Sequence, residues 1–390
     1  MKRTKTSTEI LSDLIGFDTT SHKSNLDLMH YIQDYLDGFG IKSRLIKSED
    51  GEKANLHAVI GPADVPGIIL SGHSDVVPVD GQDWNSDPFT LTEKNEMLFG
   101  RGTCDMKGFI ACALAKVPEM AAAPLVRPIH FGFSYDEEVG CTGVESLIDF
   151  LRDEIEVKPA MCIVGEPTSM RPINAHKGGH HLNCRVTGHE CHSSLAPTGV
   201  NALEYAANIV SFVTKIKKRI AEQGPFNSDF VPPYTTINTG IFNSGTAMNI
   251  VPNLAEFEFE IRPIPEENPQ HIIDEIREYA FKILEPQMKA IDPKTGFEFT
   301  EPVKIPAFHC GEDSEIVQVA LNITGENTAH KVSFATEAGL FQNIDIPTVV
   351  CGPGSIEQAH KPDEFIKTEQ MIKCDNFLGS LIGLYSQDLT

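Results

Sequence analysis

Three short apolar runs in this chain stop abruptly at residues that bind protons or metals. Ile68-Ile69-Leu70 runs into Ser71-Gly72-His73-Ser74-Asp75, Pro128–Tyr135 into Asp136-Glu137-Glu138, and Ala160–Val164 into Gly165-Glu166. Apolar runs of this length, bounded by glycine and polar residues, read as buried strands. Between the first two, Asp105–Val117 stacks Met106, Ile110, Ala113 and Val117 at helical intervals, with Pro118 expected to end or kink the helix. Strands alternating with helices predict an α/β fold, a mostly parallel or mixed sheet with helices on both faces. In such sheets the strand ends gather along one edge, where ligands bind.

The rest of the chain fits around this core. Thr6 and Glu9 form a capping-box pattern before Ile10, Leu11, Leu14 and Ile15. A second helix is predicted over Asn25–Phe39 with Gly40 as its stop, then strands over Lys42–Ile46 and Leu56–Ile60. Past Gly178-Gly179 the pattern changes to strands over His181–Val186, Thr235–Ile241, Leu254–Arg262 and Phe297–Ile305, with helices over Gly199–Ile220 and Asn268–Leu284. Leu254–Arg262 alternates strictly, so one face is buried and the other wet. The order β-α-β-β-α-β predicts a ferredoxin-like α+β domain over 179–305, inserted into a first domain of 1–178 and 306–390. After the insertion come a helix over Ser314–Ile323, a strand over Thr348–Cys351, then His360, and a closing helix over Lys367–Tyr385.

The net charge of −23 argues against nucleic acid or an anionic membrane as a partner. The N-terminal stretch lacks the apolar core of a signal peptide, and no run approaches the ~18 apolar residues of a spanning helix. Nine cysteines stand singly with no C-x-x-C pair, which argues against a disulfide framework or a cysteine zinc site and for a reducing cytoplasm.

His73, Asp75, Asp105, Glu137, Glu138, Glu166 and His360 all stand at the predicted strand ends and helix starts of the first domain. Singly, each has a plainer reading: a buried histidine, a helix cap, a solvated loop acid. Together at one sheet edge, so many acids would be very costly to bury without a cation. Two imidazoles and several carboxylates suit Zn²⁺ or another borderline divalent ion. A bridging carboxylate can hold two such ions about 3.5–4 Å apart. Asp75, two residues past His73, is placed to hold its imidazole.

The segments Ser71–Asp75, Gly100–Gly108, Asp136–Gly140, Gly165–Thr168 and the late His360 resemble the M20 family of dinuclear zinc aminoacylases and peptidases. The resemblance implies a metal-dependent amide hydrolase acting on a small N-acyl amino acid, with two divalent ions, zinc or alternatively cobalt, and a homodimer. It implies that Asp105 bridges the ions, that His73 and Glu166 complete one site, and that Glu138 and His360 complete the other. It makes Glu137 the general base and Asp75 the residue that orients His73. In the inserted domain, expected to serve as lid and dimerisation surface, it implies that His192 hydrogen-bonds the developing oxyanion across the dimer. Asn249 and Arg262 would then grip the substrate α-carboxylate. Glu337, in Ala335–Gly339, is expected to pair with a cationic amine on the substrate side chain. A substrate with a carboxylate on its acyl group would need a further basic residue, which the sequence does not locate. A non-catalytic metal- or ligand-binding module would be expected to have lost its base, whereas Glu137 stands beside Glu138.

Overall fold

A computed structural model describes residues 4–387. The chain divides into two compact units. The first takes in the chain up to Ala175, Phe308–Lys331 and the chain from Thr336 on; the second takes in His176–Ala307 and Val332–Ala335.

The first unit is built on a mixed sheet. Its strands run in the order Ser43–Lys47, Ala54–Ile60, Ile129–Ser134, Ile68–His73, Met161–Pro167, Thr348–Gly352, Ile173–His176 and Phe308–His309. Ile68–His73 lies parallel to both Ile129–Ser134 and Met161–Pro167, and Thr348–Gly352 is parallel to Met161–Pro167. These four strands are buried along their whole length, which is why they read as continuous apolar runs rather than alternating ones. The outer strands Ser43–Lys47 and Ala54–Ile60 pair antiparallel. The parallel register sets His73 opposite Ser134, so the two polar strand ends lie side by side.

Local rules are visible at the starts of two helices. Thr6 caps Ser7–Ile15 with the full reciprocal capping box to Glu9. Pro118 sits in the first turn of a new helix, Val117–Ala122, where a missing N–H costs nothing. The preceding helix is Lys107–Ala115, so Asp105 does not open it. Asp105 instead lies in the turn before it, and this frees its carboxylate from capping duty. The helix Val144–Asp153 was not expected, although Val144, Leu147, Ile148 and Leu151 mark its buried side.

The second unit is a four-stranded antiparallel sheet in the order Thr236–Ser244, Leu254–Arg262, Gly179–Thr187, Gly296–Ile305. Ala255, Phe257, Phe259 and Ile261 point into a core that they share with Leu182, Val186, Ile209, Val213 and Ile273. That core is closed by the helices Ala202–Gln223 and Pro269–Glu278. The order of strands and helices is the ferredoxin-like split unit. The expected single helix Asn268–Leu284 is α-helical only to Glu278, and a wider π turn, Tyr279–Leu284, follows.

One close approach fixes the strand that carries Glu166. A Cβ on Gly165 would fall 2.0 Å from the Phe109 ring of the Lys107–Ala115 helix. Gly165→Ala should therefore cost about 1–3 kcal/mol or more through overpacking. Urea unfolding measures this, and an unchanged midpoint would show that the helix can move aside.

Candidate active site

The cluster starts from His73, the last residue of its strand. Its Nδ1 lies 2.9 Å from the Asp75 carbonyl oxygen, which can only accept, so Nδ1 carries a proton. Its Nε2 lies 3.0 Å from Asp105 Oδ1 and 3.8 Å from Glu166 Oε1. Burial opposes a charge on this ring, but the bonds to Asp105 and Asp75 outweigh it and hold the imidazole well above its usual pKa.

Asp75 does more than orient His73. Oδ1 accepts from the Glu137 amide at 3.1 Å, and Oδ2 accepts from the Glu138 amide at 3.3 Å and the Ser21 hydroxyl at 2.7 Å. One buried carboxylate therefore fixes the backbone of both following acids, and its Oδ1 lies 3.5 Å from the imidazole that the Asp75 carbonyl holds. Asp136, with φ at +56°, makes the sharp turn that brings those acids round, and Lys53 pairs with it at 2.6 Å.

Asp105 joins the two halves of the site. Its Oδ1 faces His73, and its Oδ2 lies 3.2 Å from His360 Nε2. His360 is also 3.0 Å from Glu138 Oε2. Burial would raise the Asp105 pKa, but its bonds to His360 and His73 hold it below the usual carboxylate range. The other acids go the opposite way. Burial, with the charge of Asp105, lifts Glu138 to about 7 and Glu166 well above the ordinary value. Glu137 is likewise held well up by burial, with the Glu138 charge adding to it.

This donor set fits a divalent cation. Ligand atoms of His73, Asp105 and Glu138 lie within 4.8 Å of one another, as do those of His73, Glu137 and Glu166. Glu166 Oε1 is buried with no hydrogen-bond partner. A buried orphan oxygen among mutually repelling acids is what a bound cation relieves, and the mix of imidazole and carboxylate suits zinc or a similar ion.

Glu337 differs from expectation. It is 1% exposed, and its two oxygens accept from the Ser71 hydroxyl at 3.0 Å and from the Ser134 hydroxyl. Both oxygens are thus bound to serines of neighbouring strands, which ties the carboxylate to the sheet. Ser71 stands two residues before His73 and so shares its face of the strand, a signal the sequence held unread. Ser21, bonded to Asp75 from far up the chain, had no such signal.

The remaining expected residues lie in the second unit. His192 caps the short 3₁₀ turn Ser193–Thr198; its Nδ1 accepts from the Ser194 amide at 3.2 Å, which leaves Nε2 for a ligand. The Asn249 carbonyl accepts from the Ser193 amide at 2.9 Å, tying this turn to the segment that carries Asn249. Arg262 is bound to Glu260 through Nε at 3.0 Å and Nη2 at 2.9 Å.

A profile of peptidase family M20/M25/M40 matches residues 69–383. Acetylornithine deacetylase of Pasteurella multocida (strain Pm70) is 33% identical over 392 residues, covering 99% of each chain. The enzyme of that name from Proteus mirabilis (strain HI4320) is 36% identical over 94% of this chain and 91% of its own. Among solved structures, the M20 family metallo-carboxypeptidase Sso-CP2 from Sulfolobus solfataricus superposes with a TM-score of 0.76 at 17% identity, covering 98% of this chain and 99% of that one. The Bacillus subtilis YXEP protein, a dinuclear metal-binding peptidase of the M20 family, superposes with a TM-score of 0.66 at 16% identity over 97% of each chain. No helix among the described residues is long and apolar enough to cross a membrane.

The cluster predicts a pH dependence of the metal-free protein. A group that holds its proton more tightly when folded contributes fully below its ordinary pKa and loses that contribution as pH rises through the folded value. For Glu138 the window runs from 4.5 to about 7; for His360, held up by its bonds to Asp105 and Glu138, it runs from 6.5 to about 10. The urea midpoint of chelated protein should therefore fall as pH rises from 4.5 to about 10, and saturating zinc should remove most of the slope. A flat profile without metal would contradict these proton affinities.

Proposed function

This chain belongs to peptidase family M20/M25/M40, and we propose that within this family of amide-bond hydrolases it splits N2-acetyl-L-ornithine into L-ornithine and acetate. Two long relatives bear the name acetylornithine deacetylase, which supports this substrate. On this reading the enzyme supplies ornithine for arginine biosynthesis in the cytoplasm, works as a homodimer and needs no nucleic acid or membrane. Nine free cysteines are in keeping with a reducing compartment.

The observation that carries the metal reading is the Asp105 carboxylate between two imidazoles, 3.0 Å from one and 3.2 Å from the other. Asp105 would be shared by two divalent ions, zinc or alternatively cobalt. His73 and Glu166 would complete one site, and Glu138 and His360 the other. Bound there, the ions would supply Lewis acidity and a water acidic enough to be deprotonated near pH ~7.

The chain's own residues supply the rest. Glu137 takes the proton of the attacking water and returns it to the departing amine. A buried carboxylate with raised proton affinity suits both directions of that transfer. Asp75 keeps His73 oriented and, through the two amides it holds, keeps Glu137 aimed. His192, reaching across the dimer, donates from Nε2 to the oxygen that gains charge as the carbonyl becomes tetrahedral. Asn249 and Arg262 hold the substrate α-carboxylate, and for this Arg262 exchanges Glu260 for the ligand. Glu337 braces Ser71 and Ser134 and takes no part in binding the ornithine amine.

The test is product release by zinc-loaded protein from acetylornithine, succinyl-diaminopimelate, acetylmethionine and a dipeptide. Acetylornithine should give the highest kcat/KM; a clear preference for another member reassigns the substrate. Glu137→Gln should keep its metal and lose about 10²–10⁴ in kcat. Turnover near that of the wild type would remove Glu137 from its role.

A further inference from the structure

Glu364 stands four residues past His360 and has no part in the chemistry above. It is buried, as is its partner Arg101. Its Oε1 accepts three backbone amides at once: Gly102 at 3.1 Å, Cys104 at 2.9 Å and Asp105 at 3.1 Å. Convergence of this kind needs a turn whose N–H groups face inward, and Gly102, with φ at +86°, supplies it. The backbone completes the clasp, since the Gly100 amide donates to the Glu364 carbonyl at 2.9 Å.

The other oxygen is bound from the same turn. Oε2 accepts from Arg101 Nη1 at 2.7 Å. Arg101 then reaches the loop that carries His360: Nη1 also donates to the Lys361 carbonyl at 3.3 Å, and Nη2 donates to Gln82 Oε1 at 2.6 Å. Gln82 in turn donates from Nε2 to the His360 carbonyl at 3.2 Å. The guanidinium lies 5.1 Å from the Trp84 ring centroid, which fixes its plane.

We propose that Glu364 is a positioning residue that holds the Asp105 turn and the His360 loop at one fixed spacing, so that the two ions Asp105 would share are both in reach. The inference rests on the reading of Asp105 and His360 as metal ligands. The two residues are distant in the chain and sit on a turn and a loop, not on the central strands. Glu364 is bonded to the Asp105 amide itself, so a shift of its carboxylate moves the ligand directly. Losing such a partner of a ligand costs about 10–100-fold in metal affinity.

The test separates the amide-binding oxygen from the ion pair. Metal-free protein is titrated with zinc against a chromophoric chelator, while circular dichroism follows folding. The Arg101→Met/Glu364→Gln variant removes both charges but keeps an oxygen for the three amides, and it should retain most of the affinity. The Arg101→Met/Glu364→Met variant loses that oxygen and should bind about 10–100-fold more weakly while still folded. A merely structural role would lower the melting temperature of both variants without separating their affinities. Equal, wild-type affinity in both overturns the positioning role alone. Failure of the wild type to bind zinc removes the metal reading, and this inference with it. If the Met/Met variant does not fold, Glu364→Asp decides: its shorter arm should weaken zinc binding at unchanged circular dichroism, and unchanged affinity overturns the proposal.

Discussion

Two imidazoles from distant parts of the chain share one carboxylate. Asp105 lies between His73 and His360, and the acids Glu137, Glu138 and Glu166 crowd round them. The cost of gathering so much negative charge out of water governs the unit that carries it. Every acid in the group except Asp105 and Asp75 is held above its usual proton affinity by burial. Asp105 and Asp75 escape because each is hydrogen-bonded to an imidazole.

The fold contains this charge by giving each group a rigid origin. His73, Glu137-Glu138 and Glu166 leave the ends of three adjacent parallel strands, so backbone hydrogen bonds set their spacing. Asp105 and His360 come from a turn and a loop, which carry no ladder of their own, and the carboxylate of Glu364 and the guanidinium of Arg101 take its place. Asp75, Glu337 and Glu364 thus do related work: each spends its oxygens on backbone amides or on fixed side chains, serine hydroxyls for the first two and the Arg101 guanidinium for Glu364, and so holds still the groups that face the site.

Much of this was legible from the residues alone, for reasons that differ between the two units. Fully buried strands leave apolar runs that end in polar residues, so Ile68–His73 and Met161–Pro167 were visible together with His73 and Glu166. The half-exposed strand Leu254–Arg262 was visible through its alternation. The small sheet of Thr92–Lys94, Met97–Phe99 and Phe365–Lys367 went unread, because three-residue strands have no period to read and the third joins the local hairpin from far along the chain. Long-range hydrogen bonds were equally silent. Glu337 was read as facing the substrate because nothing in Ala335–Gly339 reveals that Ser71 and Ser134 lie within its reach. Asp105 was read as a helix start because its turn differs from a cap only in three dimensions.

The claim on which the rest depends is that Asp105 serves two cations at once. Diffraction from zinc-soaked crystals, recorded at the zinc absorption edge, tests it most directly. The account predicts two anomalous peaks, each about 2.0–2.2 Å from an oxygen of Asp105, one beside His73 and the other beside His360. A single peak, or two peaks of which either lies away from Asp105, would contradict it.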